Sequence, residues 1–332
     1  MRALVMTEPS QGSDRTEIRE VDAPRPGAGE VTIDVAYAGI NFLDVMVRRG
    51  DAGYAKAWPY VPGTEVAGTV REVGPGVTGL SAGQRVAAFT LGGGGLAEVA
   101  RAQAALTVPI PDEVPSPVAA AAPLMLSTAL LLLTDAARLR SGESVLVHSA
   151  SGGVGSVLAQ LVPVLGGGLR IGTVGRPEKV PSARDGGYDV AIARGDGLAE
   201  AVRAANGGEG VDVVLDPLGT SLLDVDLEVV APGGRIVLFG NAGGGQPAPL
   251  PPVGQLTRGN IAIVGFSISG LSATAPRRVA AATRRVLDLV ATGRLDVPLT
   301  EVGSLAEAPA VHQLLADGRG NGKYVVRLAS PA

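Results

Sequence analysis

Apolar and polar residues alternate with period two through Val31-Thr-Ile-Asp-Val-Ala-Tyr37, which predicts a half-buried strand. Val66 to Val73, the turn Gly74-Pro-Gly-Val77 and Gln84-Arg-Val-Ala-Ala-Phe89 continue in short strand-like pieces, so the first third reads as a compact β-rich region. Gly92 to Gly95 reads as a mobile loop. After Pro109-Ile-Pro-Asp112 the texture changes. Val118 to Leu139 is helical in composition, and Ser144 to His148 is a short apolar strand. A glycine turn follows, then the helical run Val154 to Leu165. Strands are predicted again at Leu169 to Val174, Val211 to Asp216 and Arg235 to Gly240, with a helix at Ala199 to Ala205. Such alternation with short connections predicts an α/β, doubly wound parallel sheet. The tail adds a strand at Ile261 to Phe266, a helix from Pro276 to Thr292 and a closing strand from Lys323 to Leu328.

Composition narrows the chemistry. The chain has 332 residues, enough for two domains or one large one, and with 46% hydrophobic and 18% charged residues it suits packed cores rather than disorder. A formal charge of −4 gives no reason to expect nucleic acid or an acidic membrane as partner. With no cysteine, disulfides, cysteine nucleophiles and cysteine-ligated zinc are excluded. His148 and His312 are the two histidines, too few for a histidine-rich metal site. The first is expected as a satisfied core residue and the second at the surface. The longest apolar run, Val118 to Leu133, is broken by Pro123 and is shorter than the ~20 residues of a membrane span. No secretory leader is apparent in the first residues, and a cytoplasmic location is expected.

The informative segment is Val145-Leu-Val-His-Ser-Ala-Ser-Gly-Gly-Val-Gly155. Between an apolar strand and an apolar helix it has the A-x-G-x-x-G form of the dinucleotide fingerprint, with Ala150, Gly152 and Gly155 at the three positions. The turn must be tight, the backbone must admit a pyrophosphate at Gly152, and the helix must pack closely on the strand at Gly155. Ser151, Gly153 and Val154 complete the candidate cradle; the plain alternative is a glycine turn in an α/β domain. An NAD site usually carries an acid about 20 residues further on. Here that stretch is Ile171-Gly-Thr-Val-Gly-Arg-Pro-Glu-Lys179, with Thr173 in the strand and Arg176 and Lys179 after it. Two cations suit a 2′-phosphate, so NADPH is the expected cofactor; the alternative is a solvated basic loop.

With the fingerprint in place, the chain resembles the zinc-independent medium-chain dehydrogenase/reductases, nearest the quinone oxidoreductase (ζ-crystallin-like) subgroup. The residues that carry the resemblance are Gly39-Ile-Asn-Phe-Leu-Asp-Val-Met-Val-Arg-Arg-Gly50, Pro62-Gly-Thr-Glu-Val-Ala-Gly68 and Val73-Gly-Pro-Gly-Val77. Pro123-Leu-Met-Leu-Ser-Thr-Ala129, Asp216-Pro-Leu-Gly219 and Gly233-Gly-Arg-Ile-Val-Leu-Phe-Gly-Asn241 continue the pattern. The resemblance implies a GroES-like β-rich catalytic domain over residues 1–118 and 256–332, a Rossmann domain over 119–255 and a substrate in the cleft between them. It implies that Asn41 and Thr128 meet the nicotinamide end, that Gly240 and Asn241 pass close to the dinucleotide, that Phe266 and Ser267 line the cleft and that Arg319 lies near the adenosine phosphate. Where relatives often carry a tyrosine after the third strand, this chain has Ala193 followed by Arg194. Zinc-dependent relatives carry an early cysteine and Gly-His-Glu; this chain has Asn41 and Gly63-Thr-Glu65, so no metal is expected.

The implied activity is hydride transfer from nicotinamide C4 to a quinone or enone activated by conjugation, with the developing oxyanion met by hydrogen-bond donors or water. Asp44 is a catalytic candidate through the Asn41-x-x-Asp44 motif, with a buried capping role as the alternative. Tyr54 lies where enoyl reductase relatives place a proton donor, the alternative being a loop aromatic. Arg48 and Arg49 are expected to be solvated. Three functions remain open: a quinone reductase, an enoyl or enone reductase for a specialised metabolite, and a non-catalytic nucleotide-binding protein. The resemblance also implies a homodimer, associated through the strand Ile261 to Phe266.

Overall fold

A computed structural model describes residues 1–55 and 57–328. The chain divides into two compact units, one made of Met1–Ser127 with the segment from Ile268 onward, the other of Thr128–Ser267. These junctions fall further along the chain than the expected 118/119 and 255/256. The helical segment before Ser127 is tied to the β-rich unit, since Leu124 and Met125 donate their backbone N–H to Glu65 (2.8 and 3.2 Å) and the Ser127 hydroxyl pairs with that of Thr283 (2.9 Å). The strand Ala262–Gly265 pairs in parallel with Val230–Leu238 and so belongs to the other unit's sheet.

The first unit is built on a seven-stranded sheet in which Glu30–Ile40 is the long central strand. It pairs antiparallel with Glu65–Val73, Val99–Gln103 and Lys323–Arg327. Alternation holds in part: Val31, Ile33 and Val35 enter a core with Leu4, Val66, Val70, Val86 and Leu96 and Asp34 stays outside, but Thr32 is buried as well. The helix Phe42–Arg49 follows directly, its first turn started at Asn41 and its end marked by Gly50 at φ 77°. The run Gly92 to Gly95, expected to be a mobile loop, is tied down. Gly93, Gly94 and Gly95 donate their N–H groups to the carbonyls of Thr90, Val61 and Gly63 at 2.8–3.0 Å.

The second unit is a six-stranded sheet with the order Val190–Ala193, Arg170–Val174, Val145–His148, Val211–Asp216, Val230–Leu238, Ala262–Gly265. All of its pairings are parallel. Strands buried on both faces are near-continuous Val, Ile and Leu, as a helix-covered sheet requires. The order reverses direction between Val145–His148 and Val211–Asp216. In such a sheet, the crevice beyond the carboxyl ends at this point is where ligands bind. Among the described residues no helix is long and apolar enough to cross a membrane.

Candidate functional site

At that reversal the chain leaves the strand Val145–His148, turns at Ser149 (φ 58°) and enters the helix Gly153–Val164. The Ala150 N–H donates to the Thr173 carbonyl (2.9 Å), fixing the turn to the neighbouring strand. A Cβ on Gly155 would lie 2.6 Å from the carbonyl oxygens of both Ser149 and Ala150, so only glycine lets the helix start this close to the turn. The Tyr188 hydroxyl, whose ionisation burial pushes well up, donates to the Gly155 carbonyl (2.7 Å). The first N–H groups of the helix therefore open towards the crevice, the arrangement that binds a pyrophosphate.

Beneath the turn lies a buried polar row. His148 is held by the Thr173 hydroxyl at Nδ1 (2.7 Å) and by Asp226 at Nε2 (2.8 Å). Asp216, which accepts from the Leu218 N–H (2.7 Å), is raised to about 6 by burial, with the Asp226 charge adding to the effect. At the end of the strand Arg170–Val174 three cations gather. Arg176 lies 3.8 Å from Glu178. Lys179 is pulled down by burial and then by the charge of Arg176, with Arg194 acting in the same sense. The Thr128 hydroxyl is buried and meets no partner among the described residues.

The β-rich unit holds a second polar cluster. Lys323 donates through Nζ to Glu65 Oε1 (2.5 Å), Asn41 Oδ1 (2.7 Å) and the Ile40 carbonyl (3.0 Å). Asn41 Nδ2 donates to the same Glu65 oxygen (3.0 Å), and Glu65 Oε2 takes the Leu124 and Met125 N–H groups. Each atom of the ion pair thus has its hydrogen bonds, the condition under which burying two charges is tolerable. Asp44 is wholly buried and accepts from the Asn41 N–H (2.8 Å) and the Gly63 N–H (3.0 Å). Burial raises its carboxyl to about 6. Among the described residues no three His, Asp or Glu side chains form a metal-binding group.

Residues 27–112 match the alcohol dehydrogenase GroES-like domain and residues 153–288 the zinc-binding dehydrogenase family. The chain is 33% identical to a quinone oxidoreductase of Pseudomonas aeruginosa over 95% of its own length and 96% of that protein. The chain belongs to the medium-chain dehydrogenase/reductase family. It is an oxidoreductase of the quinone oxidoreductase type, with the expected Rossmann and GroES-like architecture. The crystal structure of Escherichia coli quinone oxidoreductase complexed with NADPH is similar to it with a TM-score of 0.89 and 27% identity, covering 99% of this chain and 100% of that one. A polyketide synthase system protein of Streptomyces orinoci (spectinabilin, NorB) is 36% identical over 90% of this chain. The chain spans only 13% of that protein's length.

For a member of this family the expected residues divide sharply. Ala150, Ser151, Gly152, Gly153, Val154 and Gly155 form the turn and helix start. Thr173 is buried, its hydroxyl taken by His148 and its carbonyl by Ala150, so it shapes the turn. Gly240 has φ 132° and Asn241 donates to the Gly245 carbonyl (2.9 Å), bending the chain after the strand Val230–Leu238. Phe266 is half-buried and donates its N–H to the Leu238 carbonyl, and Ser267 is exposed. In the β-rich unit, Arg319 is exposed beyond the helix Ala308–Ala316 and Tyr54 is half-buried in a turn after Asp51.

Two expectations are corrected. His312 is fully buried rather than at the surface, because its helix packs that face inward. Arg48 is fully buried too, donating to the Gln11 carbonyl (2.9 Å), and Arg49 is paired with Asp51 (2.6 Å) under the ring of Phe42. The sequence pattern alone does not single out Glu65 and Lys323 as a buried pair. The available signal was Lys323 itself, one of three lysines in an arginine-rich chain and placed at the head of an apolar strand.

Proposed function

We propose that this oxidoreductase uses NADPH to reduce a quinone or another conjugated carbonyl, without a metal ion. The observation that carries the reading is the glycine turn Ser149 to Gly155 at the sheet's reversal, flanked by a cluster of cations at the end of the next strand. The residues fit the cofactor: a backbone cradle only glycine permits, a buried hydroxyl at Thr128 that meets no partner among the described residues, and basic side chains where NAD sites carry an acid. Bound there, NADPH would supply hydride from its nicotinamide C4. Ala150 to Gly155 would hold the pyrophosphate, with Arg176 and Lys179 on the adenosine phosphate.

The chain's own part in the chemistry is mainly holding and orienting. Asn41 has its amide engaged by Glu65 and Lys323, which favours a positioning role over proton transfer. Asp44, capped by two backbone donors, suits the structural alternative. A proton for the reduced product would come from water or from Tyr54. The metal-free reading rests on the donor set: no cysteine, and Asn41 and Thr64 where zinc-dependent relatives place ligands. An acceptor activated by conjugation needs no Lewis acid.

The match within polyketide synthases favours a second reading, reduction of an enone on a specialised metabolite. Titrating the protein with NADPH and NADH, then following turnover with a small quinone and a small enone, separates the two. We expect tighter NADPH binding and rapid quinone reduction. Turnover of the enone alone, slowed in Tyr54→Phe, would select the second reading. Nucleotide binding with no turnover of either acceptor would leave a non-catalytic protein.

A further inference from the structure

Arg194 stands immediately after the strand Val190–Ala193, and its N–H donates to the Val174 carbonyl (2.8 Å), which sets it beside the end of the strand Arg170–Val174. Its side chain crosses that strand end. A Cβ on Gly175 would lie 2.7 Å from Arg194 Nη2, so the guanidinium rests on Gly175, and any larger residue there would displace it. Arg194 Nη1 is buried and meets no acceptor among the described residues. A desolvated guanidinium nitrogen without an acceptor costs free energy of the order of a lost charged hydrogen bond. Among the described residues no carboxylate forms an ion pair with it, although the charge of the buried Asp216 is felt there.

Its surroundings are cationic. Arg176 and Lys179 follow Gly175 by one and four residues, and the charges of both Arg176 and Arg194 act on the Lys179 ammonium. Arg176 is partly answered by Glu178. An arrangement of this kind is completed by an anion, and in a doubly wound sheet the end of the second strand is where the adenosine ribose lies. A guanidinium has the fork geometry that grips a phosphate with two donors.

We propose that Arg194 is the residue that selects the 2′-phosphate of NADPH, with Gly175 kept small so that the guanidinium can lie over the strand end. This rests on the NADPH reading above. Arg176 and Lys179 then supply general positive potential, while Arg194 makes the discriminating contact. The position is separated from Arg176 in sequence but joined to it in space by the parallel pairing of the two strands.

The test uses 2′,5′-ADP and 5′-ADP as probes in calorimetric titrations of the wild type, Arg194→Gln, Arg194→Lys and Arg176→Gln. Wild type is expected to prefer 2′,5′-ADP. Arg194→Gln should lose roughly 10- to 100-fold in affinity for 2′,5′-ADP and stay within about twofold for 5′-ADP. Arg194→Lys should fall between the two, and Arg176→Gln should lose less than Arg194→Gln. The 5′-ADP affinity of each variant reports that its fold and its pyrophosphate cradle are intact. Retention of the full 2′,5′-ADP preference in Arg194→Gln would overturn the assignment and leave the NADPH reading standing. Equal loss for both probes would also overturn it, by making Arg194 a structural residue. A wild type that binds neither probe, or binds both alike, would remove the NADPH reading and the assignment with it.

Discussion

Asp44 and His312 lie 4.0 Å apart inside the β-rich unit and respond to burial in opposite directions. Burial raises the Asp44 carboxyl to about 6, so between its ordinary value of 3.8 and 6 the folded chain holds a proton that the unfolded chain has lost. The contribution of Asp44 to stability therefore falls as pH rises through that window. Burial, reinforced by the charge of Arg48, lowers His312 from 6.5 to about 3. Below 6.5 the unfolded imidazole takes up a proton that the folded one refuses, so stability is lost as pH falls towards 3. Over most of the shared range the two slopes offset each other. Replacing the imidazole by a side chain that does not titrate, His312→Gln, should remove one slope and leave the other. The stability difference between variant and wild type should then move in the variant's favour by up to about 1.4 kcal/mol per pH unit below 6.5. Urea unfolding midpoints at about pH 7.5 and about pH 5 measure this, and parallel pH slopes in the two proteins would show that His312 does not titrate as described.

At the scale of elements, the decisive contact is the helix Gly153–Val164 against its own entry turn. A side chain at position 155 meets two backbone oxygens that cannot rotate away, so the helix must shift outward as a body. For Gly155→Val we expect about 1–3 kcal/mol of destabilisation, typical of overpacking. We also expect NADPH affinity to fall by at least about tenfold, because the first N–H groups of the helix would move with it. Thermal unfolding and fluorescence titration on the same sample check both; unchanged affinity would separate this turn from the cofactor. The same element shows what a linear reading reaches. The strand, turn and helix were legible because every constraint is local: apolar run, glycine spacing, apolar run. The helical stretch after Pro115 was legible only as helix. Its two widened turns, closed by Leu126 N–H to Ala121 O (3.0 Å) and Ala137 N–H to Leu132 O (2.8 Å), have no compositional mark. The Asn41 cluster was invisible for a different reason. Its bonds join residues separated by 24 and 282 positions, brought together only when the closing strand pairs with Glu30–Ile40. In the sequence Arg194 stands out only as the neighbour of a missing tyrosine, since the crossing of Gly175 depends on strand pairing and not on spacing.

On the scale of the whole molecule, the strand Ala262–Gly265 raises the question of a second copy. It ends the strand order of the six-stranded sheet, pairing on one side with Val230–Leu238. Edge strands in monomers are commonly guarded by charge, proline or a bulge, because their outer N–H and C=O groups invite another strand. This one is Ala-Ile-Val-Gly, with none of those devices and with its first and last residues exposed. A twofold axis at such an edge places the same strand of a second copy antiparallel to it, pairing both edges at once and leaving none open. We therefore expect a homodimer, as the family resemblance implies. Sedimentation equilibrium should give twice the chain mass of 33.3 kDa at micromolar concentration. A monomer mass that persists as concentration is raised would mean that the edge is left open or is covered in some other way, and the paired-edge dimer would have to be abandoned.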